Sequence, residues 1–286
     1  MACIVPSLPQ PLKRSVDAFL NDQDLQSWYK TWSREEHTRD NGVPAVASLE
    51  QELTEAARQN RLSRGHLIQV ARWGGHPAPA TIQCTGHLDL GLYAGTGAAS
   101  WVRDDPAEGL RRINRQVSLM GPASMTRILR FAYPAGFGAL GTGITRVFGT
   151  GDPEHRYLQL IDLEAEKREG RWCIRTPQPA WPEEYAKFIF LLRYMRAALN
   201  RECIWCPHPP SLHEAGLRSP GIWECADVET ALSSFAAERL FPGRNRKSGK
   251  VPAFRVYRPT NEVDPERFRL GLEKRDRDDN AVAGGD

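Results

Sequence analysis

Three groups of residues in this chain have types and spacings suited to chemistry. Gly136, Gly138 and Gly141 spell G-x-G-x-x-G within PAGFGALGTGITRVFG, a spacing that lets backbone N–H groups approach a pyrophosphate. Asp227 and Glu229 flank Val228 in ADVETALSSFAAERLF, and neighbouring carboxylates near a helix start are common equipment for proton transfer. Cys203, Cys206 and His208, with His213 and Cys225 downstream, offer the thiolate and imidazole ligands that zinc prefers.

The context of each group limits what it can do. A dinucleotide cradle sits between a strand and a helix in a βαβ unit, with an acidic residue about twenty positions on. Asp162 meets the last condition, but RILRFAYPA before Gly136 reads as an amphipathic helix closed by Pro134, and no βαβ alternation surrounds it. Asp227 reads as the N-cap of a helix docked by Val228, Leu232, Phe235 and Leu240, so capping and the helix dipole account for both acids, with catalysis as the alternative. The C-x-x-C has no second paired knuckle, and Pro207 restricts how Cys206 and His208 turn inward. No metal and no cofactor are expected.

The elements that must position these groups are mostly helical. Apolar spacing predicts helices over Ala45–Asn60 and Ser63–Trp73, with Ser63 as the cap of the second. A further pair, PAEGLRRINRQVSLM and PASMTRILRFAY, is joined at Gly121, and PEEYAKFIFLLRYMRAALN carries Tyr185, Phe188, Ile189, Leu192, Met195 and Leu199 on one stripe. YLQLIDLEAE and WCIRT, separated by KREGR, predict one β-hairpin with Gly170 in its turn. The expected organisation is a polar, aromatic arm over 1–44, a helical domain over 45–241 with a helical hairpin at about 106–133 and the β-hairpin at about 157–176, and a basic loop and tail over 242–286. The chain has 286 residues, and 38 Lys+Arg against 35 Asp+Glu give a net charge of +3, so affinity for nucleic acid has to come from local clustering. Six scattered cysteines are too few for a stapled scaffold, and the longest apolar run is broken by Arg193 and Arg196, so a cytoplasmic protein without membrane spans is expected.

Two helices around a glycine present backbone N–H groups and a positive dipole end to a phosphate. The stretch Val117–Leu129, then Tyr133-Pro134, then Leu140-Gly141-Thr142-Gly143-Ile144-Thr145-Arg146-Val147 resembles the helix-hairpin-helix DNA glycosylase superfamily. CPHPPSLHEAGLRSPGIWECADVETAL is similar to the C-terminal signature of a glycosylase-like group associated with the same core. The resemblance implies a mainly α fold built on a helix-hairpin-helix core with a small β-hairpin insertion, and DNA as partner. It also places Gly141 where such enzymes carry an Asp and Ala123 where some carry a Lys, with Leu119 in place of the first hairpin glycine. Neither Gly141 nor Ala123 can act as acid, base or nucleophile.

The resulting expectation is a protein that recognises DNA or a nucleobase with its chemistry lost. Gly121, Arg115, Arg127 and Arg146 would hold the backbone, helped by Arg244, Arg246 and Lys247 of the basic loop. The alternatives are an active N-glycosylase with Asp227 or Glu229 as substitute carboxylate, and a helical protein-interaction module with no nucleic-acid role. Trp73, Trp101 and Tyr133 are available to stack on a flipped base or to fill the core.

Overall fold

The structure is a computed structural model that describes residues 8–36, 43–93 and 101–242. Within them the chain is mainly helical, with eleven α-helices and two antiparallel two-stranded sheets. No helix among the described residues is long and apolar enough to cross a membrane.

The described part of the expected 1–44 arm is built instead from two docked helices. Pro11 starts helix α1 (Gln10–Asp22), and the Asp24 carboxylate accepts from the Ser27 N–H at 3.1 Å and its hydroxyl at 2.6 Å to start α2 (Leu25–Glu36). Val16, Phe19, Leu25 and Tyr29 are buried. Phe19 packs edge-on against Phe148 and Phe235 at 5.5 and 5.4 Å, and Tyr29 against Trp223 at 5.8 Å, the offset geometry that aromatic quadrupoles favour.

Helices α3 (Val43–Arg58) and α4 (Arg64–Trp73) fall where the apolar spacing places them. Ser63 caps α4, and the His66 ring returns to the Ser63 N–H at 3.0 Å. Strand β1 (Gln83–Cys84) and helix α5 (Trp101–Asp104) lead to α6 (Pro106–Gln116), capped by the Asp105 carboxylate. Helix α6 ends at Gln116 rather than Met120, because Val117 and Ser118 form β2 (Val117–Ser118) and pair antiparallel with β1. Helix α7 (Pro122–Ala132) then starts at Gly121, and α8 (Thr142–Phe148) starts at Gly141.

The β-hairpin is present but shorter than 157–176. Strands β3 (Ala165–Arg168) and β4 (Arg171–Ile174) join through Glu169 and Gly170, whose φ values of 49° and 77° suit a two-residue turn with the twist of the strands. Upstream, Leu160 and Ile161 donate to the Phe148 carbonyl at 2.8 and 3.1 Å, so this segment finishes α8 instead of lengthening the hairpin. Helix α9 (Glu183–Arg201) buries its whole predicted stripe, and α10 (Pro210–Glu214) leads to α11 (Cys225–Leu240), which packs on α2, α8 and α9. Asp227 is not the N-cap of α11. Glu224 takes that position, and the Asp227 carboxylate reaches back to accept its N–H at 2.8 Å.

Candidate functional site

The turn between α6 and α7 is the most exposed chemically interesting feature. Leu119 takes φ 64°, a left-handed conformation that costs an L-residue roughly 1–2 kcal/mol and that glycine adopts freely. Its side chain is 64% exposed, more than any other large hydrophobic residue among those described. The Leu119 carbonyl lies 3.1 Å from His76 Nε2, which braces the strained residue from the loop after α4. Gly121 is exposed, caps α7 without a side chain, and has open space where a Cβ would stand. The hairpin thus offers a helix N-terminus to solvent beside a projecting apolar residue.

Gly136 and Gly138 of the glycine triplet serve packing. A Cβ on Gly136 would lie 2.5 Å from the Tyr133 ring, and one on Gly138 would lie 2.4 Å from Leu192 Cδ1 and 2.7 Å from Glu229 Cβ. Gly138 lets the 134–141 loop lie tightly on α9 and α11, and Gly136 lets it turn back against Tyr133. The loop is held by its own carbonyls, which accept from Arg196 Nη1 at Ala135, Arg193 Nε at Gly136 and the Tyr185 hydroxyl at Gly138. Of its N–H groups, those of Gly136 and Phe137 donate to the Tyr133 carbonyl and that of Leu140 to the Thr126 hydroxyl, and the loop follows helix α7 and not a strand.

Thr126 links the start of α7 to the loop before α8. The Thr126 hydroxyl donates to the Ala123 carbonyl at 3.0 Å, and its oxygen accepts from the Leu140 N–H at 3.0 Å. Gly141 follows immediately, as the N-cap of α8 with no capping side chain. Glu229 also faces this loop: it receives a backbone hydrogen bond from Ala139 and the Ser233 hydroxyl at 2.8 Å. Burial pushes its carboxyl above the usual range, against the opposing pull of Arg130.

Asp227 belongs to a buried ionic network centred on Arg218. Arg218 Nε donates to Asp227 Oδ1 at 3.0 Å, and Nη1 and Nη2 reach Glu50 at 2.7 and 3.1 Å. Glu50 also pairs with Arg130, whose Nε lies 3.8 Å from Glu229. His208 Nε2 is 3.0 Å from Asp227 Oδ2. Burial alone would raise the Asp227 carboxyl, but Arg218 and His208 hold it down at about 2, while burial lifts Glu224 to about 7. Both Asp227 oxygens face groups of the protein itself, so this residue organises the interior and does not face a substrate.

The remaining expected contacts fall in different places. Arg115 is exposed and pairs with Glu108 at 2.7 Å, a surface bridge that is weak enough to be redirected to a phosphate. Arg127 is half-buried over the Trp73 ring at 5.9 Å, and burial lowers its guanidinium pKa. Arg146 is not at the surface: it is buried, bound to Asp152 at 2.6 Å and covered by the Trp172 ring at 4.1 Å. Arg244, Arg246 and Lys247 lie outside the described residues, as does the side chain of Trp101. Trp73 packs edge-on against Phe131, and Tyr133 packs between Tyr93 and Phe137, so both are part of the core lining.

Cys203, which is exposed, and Cys225 are not in the metal-ligand group that the fold assembles; that group is Cys206, His208 and Asp227. The sequence signal for the buried network lay in Glu50, which shares the stripe of Val46, Leu53 and Ala57 on α3, and in Arg130 between Leu129 and Phe131. A charge on an apolar stripe calls for a buried partner. No protein-family model, curated protein or solved structure matches the chain.

Proposed function

We propose that this protein binds duplex DNA through the α6–α7 hairpin, as a glycosylase-like protein that does not excise bases. The observation that carries the reading is the turn itself: Leu119 holds the left-handed conformation of a hairpin glycine, and exposed Gly121 opens the N-terminus of α7. In this reading the α7 peptide N–H groups and Arg115 hold the phosphate backbone, and Leu119 makes an apolar contact in the groove. In this reading Gly141 and Ala123 stand where an excising enzyme carries its acid and amine, and Thr126 bonds both the Ala123 carbonyl and the N–H of Leu140, the residue before Gly141. A cytoplasmic setting rests on the sparse cysteines alone. Equilibrium binding of the full chain to a labelled duplex, beside the Gly121→Asp variant, tests the reading. Gly121 has room for a side chain and an ordinary φ of −79°, so the variant keeps the fold while placing a negative charge at the contact.

A second reading is favoured by Glu229 alone. Its buried carboxyl, with a raised pKa, lies against the 138–139 backbone just before Gly141, which suits a substitute carboxylate in an excising enzyme. Its burial to 9% exposure and its pairing to Arg130 and Ser233 weigh against substrate access. Release of a modified base by the wild type, lost in Glu229→Gln, would favour this second reading over the first.

A further inference from the structure

We propose that Cys206, His208 and Asp227 form a structural site for a divalent transition metal, with zinc as the ion that suits the ligand set. One donor atom from each of the three residues lies within 4.8 Å of the others, and all three residues are buried. Zinc bonds of about 2.0–2.3 Å separate tetrahedral ligands by about 3.3–3.8 Å, so the group has to close by about 1 Å. His208 Nε2 and Asp227 Oδ2 stand 3.0 Å apart as a hydrogen-bonded pair, so an ion held by both replaces this contact and moves them apart by about 0.3 Å or more. A thiolate with an imidazole selects zinc over magnesium or calcium, which prefer all-oxygen sites.

Three further features fit an ion here. The His208 side chain is fully buried and its Nδ1 has no hydrogen-bond partner among the described residues, so the ring's polar contact is made through Nε2, on the Asp227 side. The ligands are held from behind: Arg218 Nε grips Asp227 Oδ1 at 3.0 Å, the Glu224 N–H donates to Oδ2 at 2.8 Å, and the Cys206 N–H donates to the Gly221 carbonyl at 2.9 Å. The His213 ring packs edge-on against that of His208 at 5.3 Å, with its Nδ1 3.2 Å from the Arg218 carbonyl, and so holds the His208 ring in place.

The same three residue types could serve a cysteine nucleophile, but Cys206 is 0% exposed and out of reach of any substrate. Binding therefore acts on the fold. It ties the 203–208 segment to the first turn of α11, with the Cys206 proton released to solvent as the thiolate bonds to the ion.

Cobalt(II) titration of the reduced, chelator-stripped full chain tests the proposal. The expected result is a near-ultraviolet thiolate-to-cobalt absorption that saturates at about one equivalent and is displaced by zinc. Cys206→Ser should abolish it, and Cys203→Ser, which changes an exposed thiol outside the group, should leave it intact. Absence of the band, or a band that survives Cys206→Ser and is lost in Cys203→Ser, overturns the assignment. Should Cys206→Ser fail to fold, thermal unfolding of the wild type decides: stabilisation by zinc that a chelator reverses supports the site, and an unchanged midpoint overturns it.

Discussion

Arg218 and Glu50 stand 168 positions apart in the chain and meet inside the protein, where both carboxylate oxygens of Glu50 accept from the guanidinium at 2.7 and 3.1 Å. Neither side chain is more than 1% exposed. The pair fastens the segment before α11 to α3, and Arg218 holds Asp227 on its other edge. Such a pair specifies one arrangement of helices, because any shift leaves a charge buried without a partner.

Replacing Arg218 by Met keeps the side-chain bulk and removes the charge, leaving Glu50 and Asp227 facing each other's field. The expected loss is on the order of 3–5 kcal/mol of folding stability, read as a lower urea midpoint at unchanged slope. A loss below about 1 kcal/mol would show that the network does not organise the fold.

Asp152 sets an acid-side dependence. Burial alone would raise its carboxyl, but hydrogen bonds from His155 and Arg146 hold it below its ordinary 3.8. A depressed folded pKa gives stability that is present above the unfolded value and is lost as pH falls through the folded one. Asp152→Asn, which strands the buried Arg146, should therefore destabilise the protein strongly at pH 7, and the gap from wild type should narrow below pH 3.8. A gap that stays constant down to the acid transition would contradict the pairing.

Leu119→Gly separates stability from binding. Relief of the left-handed leucine should raise stability by on the order of 1 kcal/mol, since the exposed side chain contributes little burial. The same change should weaken duplex binding if Leu119 makes the groove contact. A variant that is less stable than wild type, measured by chemical denaturation, would mean that Leu119 packs in a way its 64% exposure does not suggest.

The helical body was readable in the sequence wherever one apolar stripe ran uninterrupted, as in Tyr185 to Leu199 of α9, or where a cap was explicit, as at Ser63. The N-terminal helices were missed although Leu12, Val16 and Phe19, then Leu25, Trp28, Tyr29 and Trp32, have helical spacing, because the polar residues between them dominate the local composition. The early end of α6 was invisible because the two-residue pairing of β2 with β1 depends on a segment more than thirty positions upstream. At the candidate site, the break between α6 and α7 at Gly121 was legible in the sequence. Arg146 was misplaced because one positive charge in sequence looks the same whether it meets a phosphate or a buried Asp152. The Arg218–Glu50 link is non-local, and no spacing rule joins residues on separate elements.

The measurement that bears most directly on DNA recognition is equilibrium binding of the full chain to a duplex carrying an abasic-site analogue, beside the matching plain duplex, at low and physiological salt. The account predicts tighter binding to the abasic duplex, weakening as salt rises because phosphate contacts release counterions, and a loss of about 10-fold or more in Gly121→Asp, the equivalent of 1.4 kcal/mol or more. No binding to either duplex at low salt, or equal binding by wild type and Gly121→Asp, would contradict it and leave the hairpin as a packing element of a helical interaction module.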